Sequence, residues 1–175
     1  MKPATPTDDV LSELGLLRRY ARSLTRDRDD AEDLVQDTLL RALERRASFR
    51  AGGNLRGWLL AILHNVFVDG RRARAAARAR EAAAADLAPE AAPPAQEEVV
   101  RLGEVREAFF RLPEDQRAAL HLVAIEGLSY QAAAEVLEVP IGTLMSRIGR
   151  ARASLRALET GASPRTRLTV VGGTE

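Results

Sequence analysis

Between Leu128 and Arg152 the chain reads LSYQAAAEVLEVPIGTLMSRIGRAR, and side chains able to meet nucleic acid recur there at helical spacing. Thr143, Ser146, Arg147, Arg150 and the adjacent Arg152 are polar positions set among the apolar Ile141, Leu144 and Ile148. Arginine suits such work, because its planar fork of donors can pair with guanine edges or with phosphate oxygens. No acidic residue falls between 139 and 158, so nothing interrupts this basic surface. A helical hairpin with a solvated basic face is the plainer account of the same residues.

Two helices and a tight turn would position that surface. Ser129 predicts the N-cap of a short helix over about 130–137, and a turn over 138–142 leads into a longer helix over about 143–158. The alanines at 132, 133 and 134 allow close helix approach, with Val136, Leu137, Ile141, Leu144 and Ile148 as the expected shared core. This pattern predicts a helix-turn-helix, in which the second helix enters the DNA major groove. Upstream, a helix over about 98–111 stops at Leu112-Pro113. The next starts at Pro113, which suits a first helical turn, and ends near Glu126 before Gly127.

The first half carries three further helical patterns. Val10, Leu14, Leu17, Ala21 and Leu24 form one apolar stripe. A second helix is expected from near Asp29 as its cap, with Ala31, Leu34, Val35, Thr38, Leu39, Ala42 and Leu43 turned inwards. A glycine-bearing loop over 47–54 precedes a third helix, whose inner side would hold Leu55, Trp58, Leu59, Ile62, Val66 and Phe67. From 81 to 97 the composition turns to Ala, Pro and Glu, with prolines at 89, 93 and 94, which predicts an extended, mobile linker. The expected organisation is therefore all-α. Two small helical domains, 8–80 and 98–160, are joined by the flexible linker 81–97, the second domain is the helix-turn-helix, and 161–175 is a flexible tail. RLTVV at 167–171 has strand character but no partner in view.

Composition narrows the function classes. The formal net charge is only +1, but it is a cancellation: arginines crowd 71–80 and recur at 147–156, while 81–98 holds five acids and no base. There is no cysteine, which excludes a disulfide framework or a thiolate metal site. No signal-peptide core opens the sequence, and no run reaches the roughly 20 apolar residues that span a bilayer, so a cytoplasmic protein is expected. His64 and His121 lack metal-ligand spacing and read as partly buried structural residues. No strand precedes Gly52-Gly53, and no nucleophile-base arrangement is evident. No catalysis and no cofactor are expected.

The segments LPEDQRAALHLV and GLSYQAAAEVLEVPIGTLMSRIGRARASL resemble region 4 of the extracytoplasmic-function (ECF) sigma factors of bacterial RNA polymerase. RDRDDAEDLVQDTLLRAL and FRAGGNLRGWLLAILHNVFVDGRRAR resemble their region 2. The resemblance covers most of 10–158 in the expected order. It implies a factor that binds core RNA polymerase, directs promoter recognition and melting, and has an anti-sigma factor as its inhibitory partner.

By the same resemblance, Asp33, Gln36 and Asp37 would dock on the polymerase clamp helices, and their spacing does place them on one helix side. Phe49, Arg50, Asn54, Arg56, Trp58 and Asn65 map to where the −10 element is opened and read as a single strand, with Arg71, Arg72 and Arg74 gripping phosphates beside it. Trp58 is also in phase with the apolar stripe and reads as core with at most one ring edge exposed, and Phe49 reads equally as a loop anchor or a base platform. For the −35 element, Ser146 and Arg150 would face base edges and Arg147 and Arg152 phosphates, with Thr143 beside them. Many family members carry a basic residue where this chain has Met145, whose contact would be apolar, such as a thymine methyl. Two rival readings use the same residues: a sigma-like mimic that sequesters an anti-sigma factor, and a conventional helix-turn-helix regulator.

Overall fold

Asp27 defines the sharpest helix boundary of the first half. Its carboxylate accepts from the backbone N–H groups of Asp29 and Asp30 at 2.8 and 3.0 Å, and this cap holds it below the usual carboxylate pKa range. The helix therefore begins at Arg28, and Asp29, expected as the cap, is a first-turn donor instead. Its acid still meets the positive end of the helix dipole.

The computed structural model describes residues 10–50, 52–81 and 97–159. The elements are α1 (Leu14–Thr25), α2 (Arg28–Glu44), a 3-10 turn (Arg46–Ser48), α3 (Leu55–Glu81), α4 (Glu97–Arg111), α5 (Glu114–Leu120) with a π-helical turn (His121–Ile125), α6 (Tyr130–Val136) and α7 (Ile141–Glu159). Among the described residues there is no strand, and the fold is all-α. Most of the expected linker, the tail and the RLTVV segment lie outside the described residues.

In the N-terminal module α1, α2 and α3 pack around Leu17, Tyr20, Ala21, Leu59, Leu60 and Leu63. In the C-terminal module α6 and α7 form the helix-turn-helix. Ser129 caps α6 by accepting from Ala132 N–H at 3.1 Å, and Glu138 takes a positive φ of 52° in the turn. Leu144, Ile148 and Ala151 seat α7 against α5. Two apolar side chains expected inside are outside: Leu43 is 67% exposed and Ile141 is about half exposed. Leu43 sits at the far end of α2, and Ile141 is the first residue of α7.

The two modules, separated in sequence by the Ala/Pro/Glu stretch, pack against one another. α3 lies on α6 and α1 on α5, and buried residues of both modules join in one cluster. Apolar surface removed from water contributes about 25 cal/mol per Å², so the shared core stabilises the docked arrangement.

Candidate nucleic-acid interface and the contacts that cover it

The expected −35 residues lie on the outer side of α7. Met145, Ser146, Arg150 and Arg152 are exposed, and Thr143 is half-buried at the helix start. Ser146 Oγ donates to Thr143 O at 2.9 Å, and Arg150 Nη2 donates to Ser146 Oγ at 3.1 Å, so the two side chains are held together. Arg147 stands apart from them. Its Nε is 3.1 Å from Asp115 Oδ2, an ion pair with α5.

Asp33, Gln36 and Asp37 are all exposed on one side of α2, while Leu34, Val35 and Thr38 are buried on the other. The same outward surface continues into Leu40, 60% exposed, and Leu43. This face thus combines carboxylates with exposed apolar side chains. The two leucines were not foreseen as part of it. Leu40 and Leu43 lie four and seven residues after Gln36, but Leu43 also fits the core stripe, so the spacing carried no distinguishing signal.

The expected −10 residues divide by their surroundings. Asn54 is the cap of α3, accepting from Gly57 N–H at 3.0 Å. The Phe49 and Trp58 rings lie 5.1 Å apart, and Trp58 packs against the core, so the loop is anchored on an aromatic pair. Arg50, Arg72 and Arg74 are exposed, Arg72 standing 3.9 Å from Asp69. The remaining three meet acids of the other module. Arg56 Nη2 donates to both the carbonyl O and Oε2 of Glu126, each at 2.8 Å. Asn65 Nδ2 donates to Glu138 Oε1 at 2.8 Å, and Arg71 Nη1 lies 2.7 Å from Glu114 Oε1.

Glu126 inverts the usual pattern of burial. It is 4% exposed while Ile125, one residue before it, is 55% exposed. The π-helical turn is the local reason: Glu126 N–H closes on His121 O at 3.0 Å, one residue wider than an α-turn, and Gly127 at φ 69° lets the chain reverse immediately afterwards. Arg19 forks onto Glu126, Nε to Oε1 at 3.0 Å and Nη2 to Oε2 at 2.9 Å. His121 Nε2 is 3.2 Å from Oε1. Burial pushes the carboxyl pKa up, but the Arg19 hydrogen bonds and charge, with His121, outweigh it and hold the group below its ordinary value. Burial lowers the His121 pKa despite Glu126, and Nδ1 has no hydrogen-bond partner.

Neither Glu126 nor Arg19 stands out in the sequence. An acid before a glycine reads as a helix end, and nothing local says that it is buried under another module. The two histidines are structural, as expected. Tyr20 hydroxyl is 3.1 Å from His64 Nδ1, and burial, with Arg147 nearby, lowers the His64 pKa to about 4. Among the described residues no group of three His, Asp or Glu is placed to hold a metal ion, and no helix is long and apolar enough to cross a membrane.

A helix-turn-helix module docked on a second helical module with basic and aromatic loop residues defines a DNA-engaging transcription protein. Residues 10–77 match the family model for sigma-70 region 2, and residues 102–155 match that for sigma-70 region 4. The chain is 43% identical over 154 residues to the ECF RNA polymerase sigma factor EcfG of Rhodopseudomonas palustris, covering 86% of this chain and 83% of that one. It is 39% identical over 142 residues to the ECF sigma factor SigM of Mycobacterium tuberculosis, covering 81% and 70%. Among solved structures, it resembles the sigma factor RpoE in complex with the anti-sigma factor NepR from Bartonella quintana. That match has a TM-score of 0.73 at 38% identity and covers 88% of this chain and 96% of that one. It also resembles CnrH in complex with the cytosolic domain of CnrY, with a TM-score of 0.63 at 31% identity over 89% and 88%. The chain belongs to the ECF sigma factor family.

Proposed function

We propose that this ECF sigma factor divides promoter opening between its modules in the following way. The α2 face of Asp33, Gln36 and Asp37, extended by Leu40 and Leu43, holds core RNA polymerase. The loop and α3 residues Phe49, Arg50, Asn54, Arg56, Trp58 and Asn65 capture the −10 strand, and Arg71, Arg72 and Arg74 grip its backbone. On α7, Ser146 and Arg150 read −35 base edges, Met145 and Thr143 add apolar and hydroxyl contacts, and Arg147 and Arg152 meet phosphates. Opening duplex costs about 1.4 kcal/mol per stacked step, and captured bases with cationic backbone contacts offset that cost. The chemistry of RNA synthesis belongs to the polymerase, so the factor itself is no enzyme, and it works in the cytoplasm.

We also infer control by an anti-sigma factor, because RpoE, similar along nearly the whole chain, is seen in complex with the anti-sigma factor NepR. The observation that carries the overall reading is the order of two family-matched modules, with an α7 that has no acid before Glu159 and presents Ser146 and Arg150 outwards. Run-off transcription with core polymerase over a random promoter library tests it. Specific transcripts are expected. Failure to start RNA on any template, with inhibitor absent, would remove the proposal.

A further inference from the structure

Ile141, expected in the shared core of the helix-turn-helix, opens α7 and is 45% exposed, and Met145, one turn on, is 53% exposed. Neither belongs to the apolar clusters of the core, which take Leu144, Ile148 and Ala151 from the opposite side of the helix. The neighbouring surface is open: Gly142 and Gly149 are exposed, and a Cβ added to either would meet nothing within 4 Å. Two large apolar side chains left in water gain free energy when a partner covers them. The surrounding charge says which kind of partner. α7 has no acid before Glu159, and Arg150 and Arg152 are exposed on it, so the occupant is a polyanion. A duplex offers such side chains few apolar groups. Base edges in the major groove are donors and acceptors, and an apolar side chain laid on one of them leaves it without water or partner. The methyl at C5 of thymine is the exception. A cytosine methylated at C5 carries the same group at the same place.

We propose that Ile141 and Met145 together read the C5-methyl group of a pyrimidine in the −35 duplex. The proposal rests on the assignment of α7 to that element, and it adds Ile141 and a ligand chemistry to it.

The two side chains complement one another. Ile141 is β-branched and held near one rotamer in a helix, whereas the unbranched Met145 thioether adapts to the gap that remains. Side chains four apart on a helix stand about 6 Å from each other at Cβ, and successive bases of one strand are about 3.4 Å apart, so the pair covers one base pair and its neighbour. In a helix-turn-helix the first turns of the second helix meet base edges, and both residues lie there. Ser146 and Arg150, hydrogen-bonded to each other alongside, supply the donors and acceptor for the adjoining pairs.

Promoters altered one methyl at a time test this in the holoenzyme. The full chain is assembled with core polymerase on the strongest promoter from the run-off library, and affinity is measured by competition. Each thymine of the −35 duplex is replaced in turn by deoxyuridine, which lacks only the methyl, and each cytosine by 5-methyldeoxycytidine, which gains only the methyl. At one base pair, or two adjoining ones, loss of a methyl should weaken binding about fourfold, the effect of leaving one apolar carbon uncovered. Ile141→Ala and Met145→Ala should each shrink that difference, and the double substitution should erase it. Both positions are exposed, so neither is needed to fill the core. Arg152→Ala should weaken binding to both duplexes alike, as loss of a phosphate contact does. The two arms separate the sources: a loss with deoxyuridine assigns the methyl to thymine, and a gain with 5-methyldeoxycytidine assigns it to a methylated cytosine. Affinity indifferent to every methyl overturns the proposal, as does a difference that survives the double substitution. Indifference of the holoenzyme to the whole −35 sequence removes the assignment of α7 to that element, and this inference with it.

Discussion

Arg117 of α5 donates through Nε and Nη2 to the carbonyls of Ser23 and Leu24, so the C-terminal end of α1 is capped by a side chain 93 and 94 residues further along the chain. Its third contact, Nη1 to Leu112 O at 3.0 Å, ties the same guanidinium to its own module, and the Phe110 ring lies 5.6 Å from its carbon. Burial lowers the pKa of this group, yet it stays charged at any ordinary pH.

Arg117→Ala is therefore expected to destabilise the docked chain by about 2–3 kcal/mol, since two helix-end carbonyls lose a charged donor and are left buried. Arg117→Lys should recover only part of this, because an ammonium cannot span both carbonyls with a planar fork. Urea unfolding monitored by circular dichroism measures both. Equal stability of Arg117→Ala and the parent would show the contact to be neutral.

Acid should loosen the fold through His64. His64 titrates near 4 in the folded chain and near its ordinary 6.5 when unfolded, so above 6.5 both forms are neutral and its contribution is whole. As pH falls from about 6.5 to about 4 the unfolded chain takes up a proton that the folded one refuses, and roughly 3 kcal/mol of stability is lost. His121, also lowered by burial, acts in the same direction, and Glu138 partly opposes the shift at His64. Thermal melts of the parent and His64→Gln across pH 7 to 4 check the sign. The substituted chain should show the shallower slope.

At α7, Arg150→Ala should weaken −35 recognition by about 1–3 kcal/mol, with affinity for core polymerase unchanged. Removing Arg150 also frees Ser146 Oγ, whose hydrogen bond to it orders the pair. Binding to a library of −35 duplexes is the measurement. An equal loss on every sequence would mean that Arg150 only neutralises phosphate.

On α2, Asp37→Arg reverses a charge on an exposed face without touching the buried side of the helix. Reduced co-migration with core polymerase is expected, with the unfolding midpoint close to that of the parent. Leu40→Ser should act in the same direction through lost apolar contact. Undiminished co-migration of both proteins would mean that the polymerase is held elsewhere.

Much of the local structure was legible because it is governed by short-range rules. Ser129 caps α6 since a hydroxyl at that point can reach the N–H three residues on, and the alanine run and turn before α7 announce a helix-turn-helix without any knowledge of the rest. The order of the two modules and their family resemblance were likewise present in the residues themselves. The Asp27 cap was displaced by two residues in the reading because several acids there can each cap a helix, and only the backbone geometry chooses between them.

What only the tertiary structure decided is which charged side chains meet. Arg56 reads from the resemblance as a strand contact, and nothing local marks Arg19, Arg117 or Glu126, since a single sequence weighs a residue against its neighbours along the chain. Their partners lie 70 to 107 residues away, and the burial of Glu126 arises when one module closes over another. Charges are paired across space by packing, and packing is a property of the whole chain, so the helices could be read from the residues but the closed state could not.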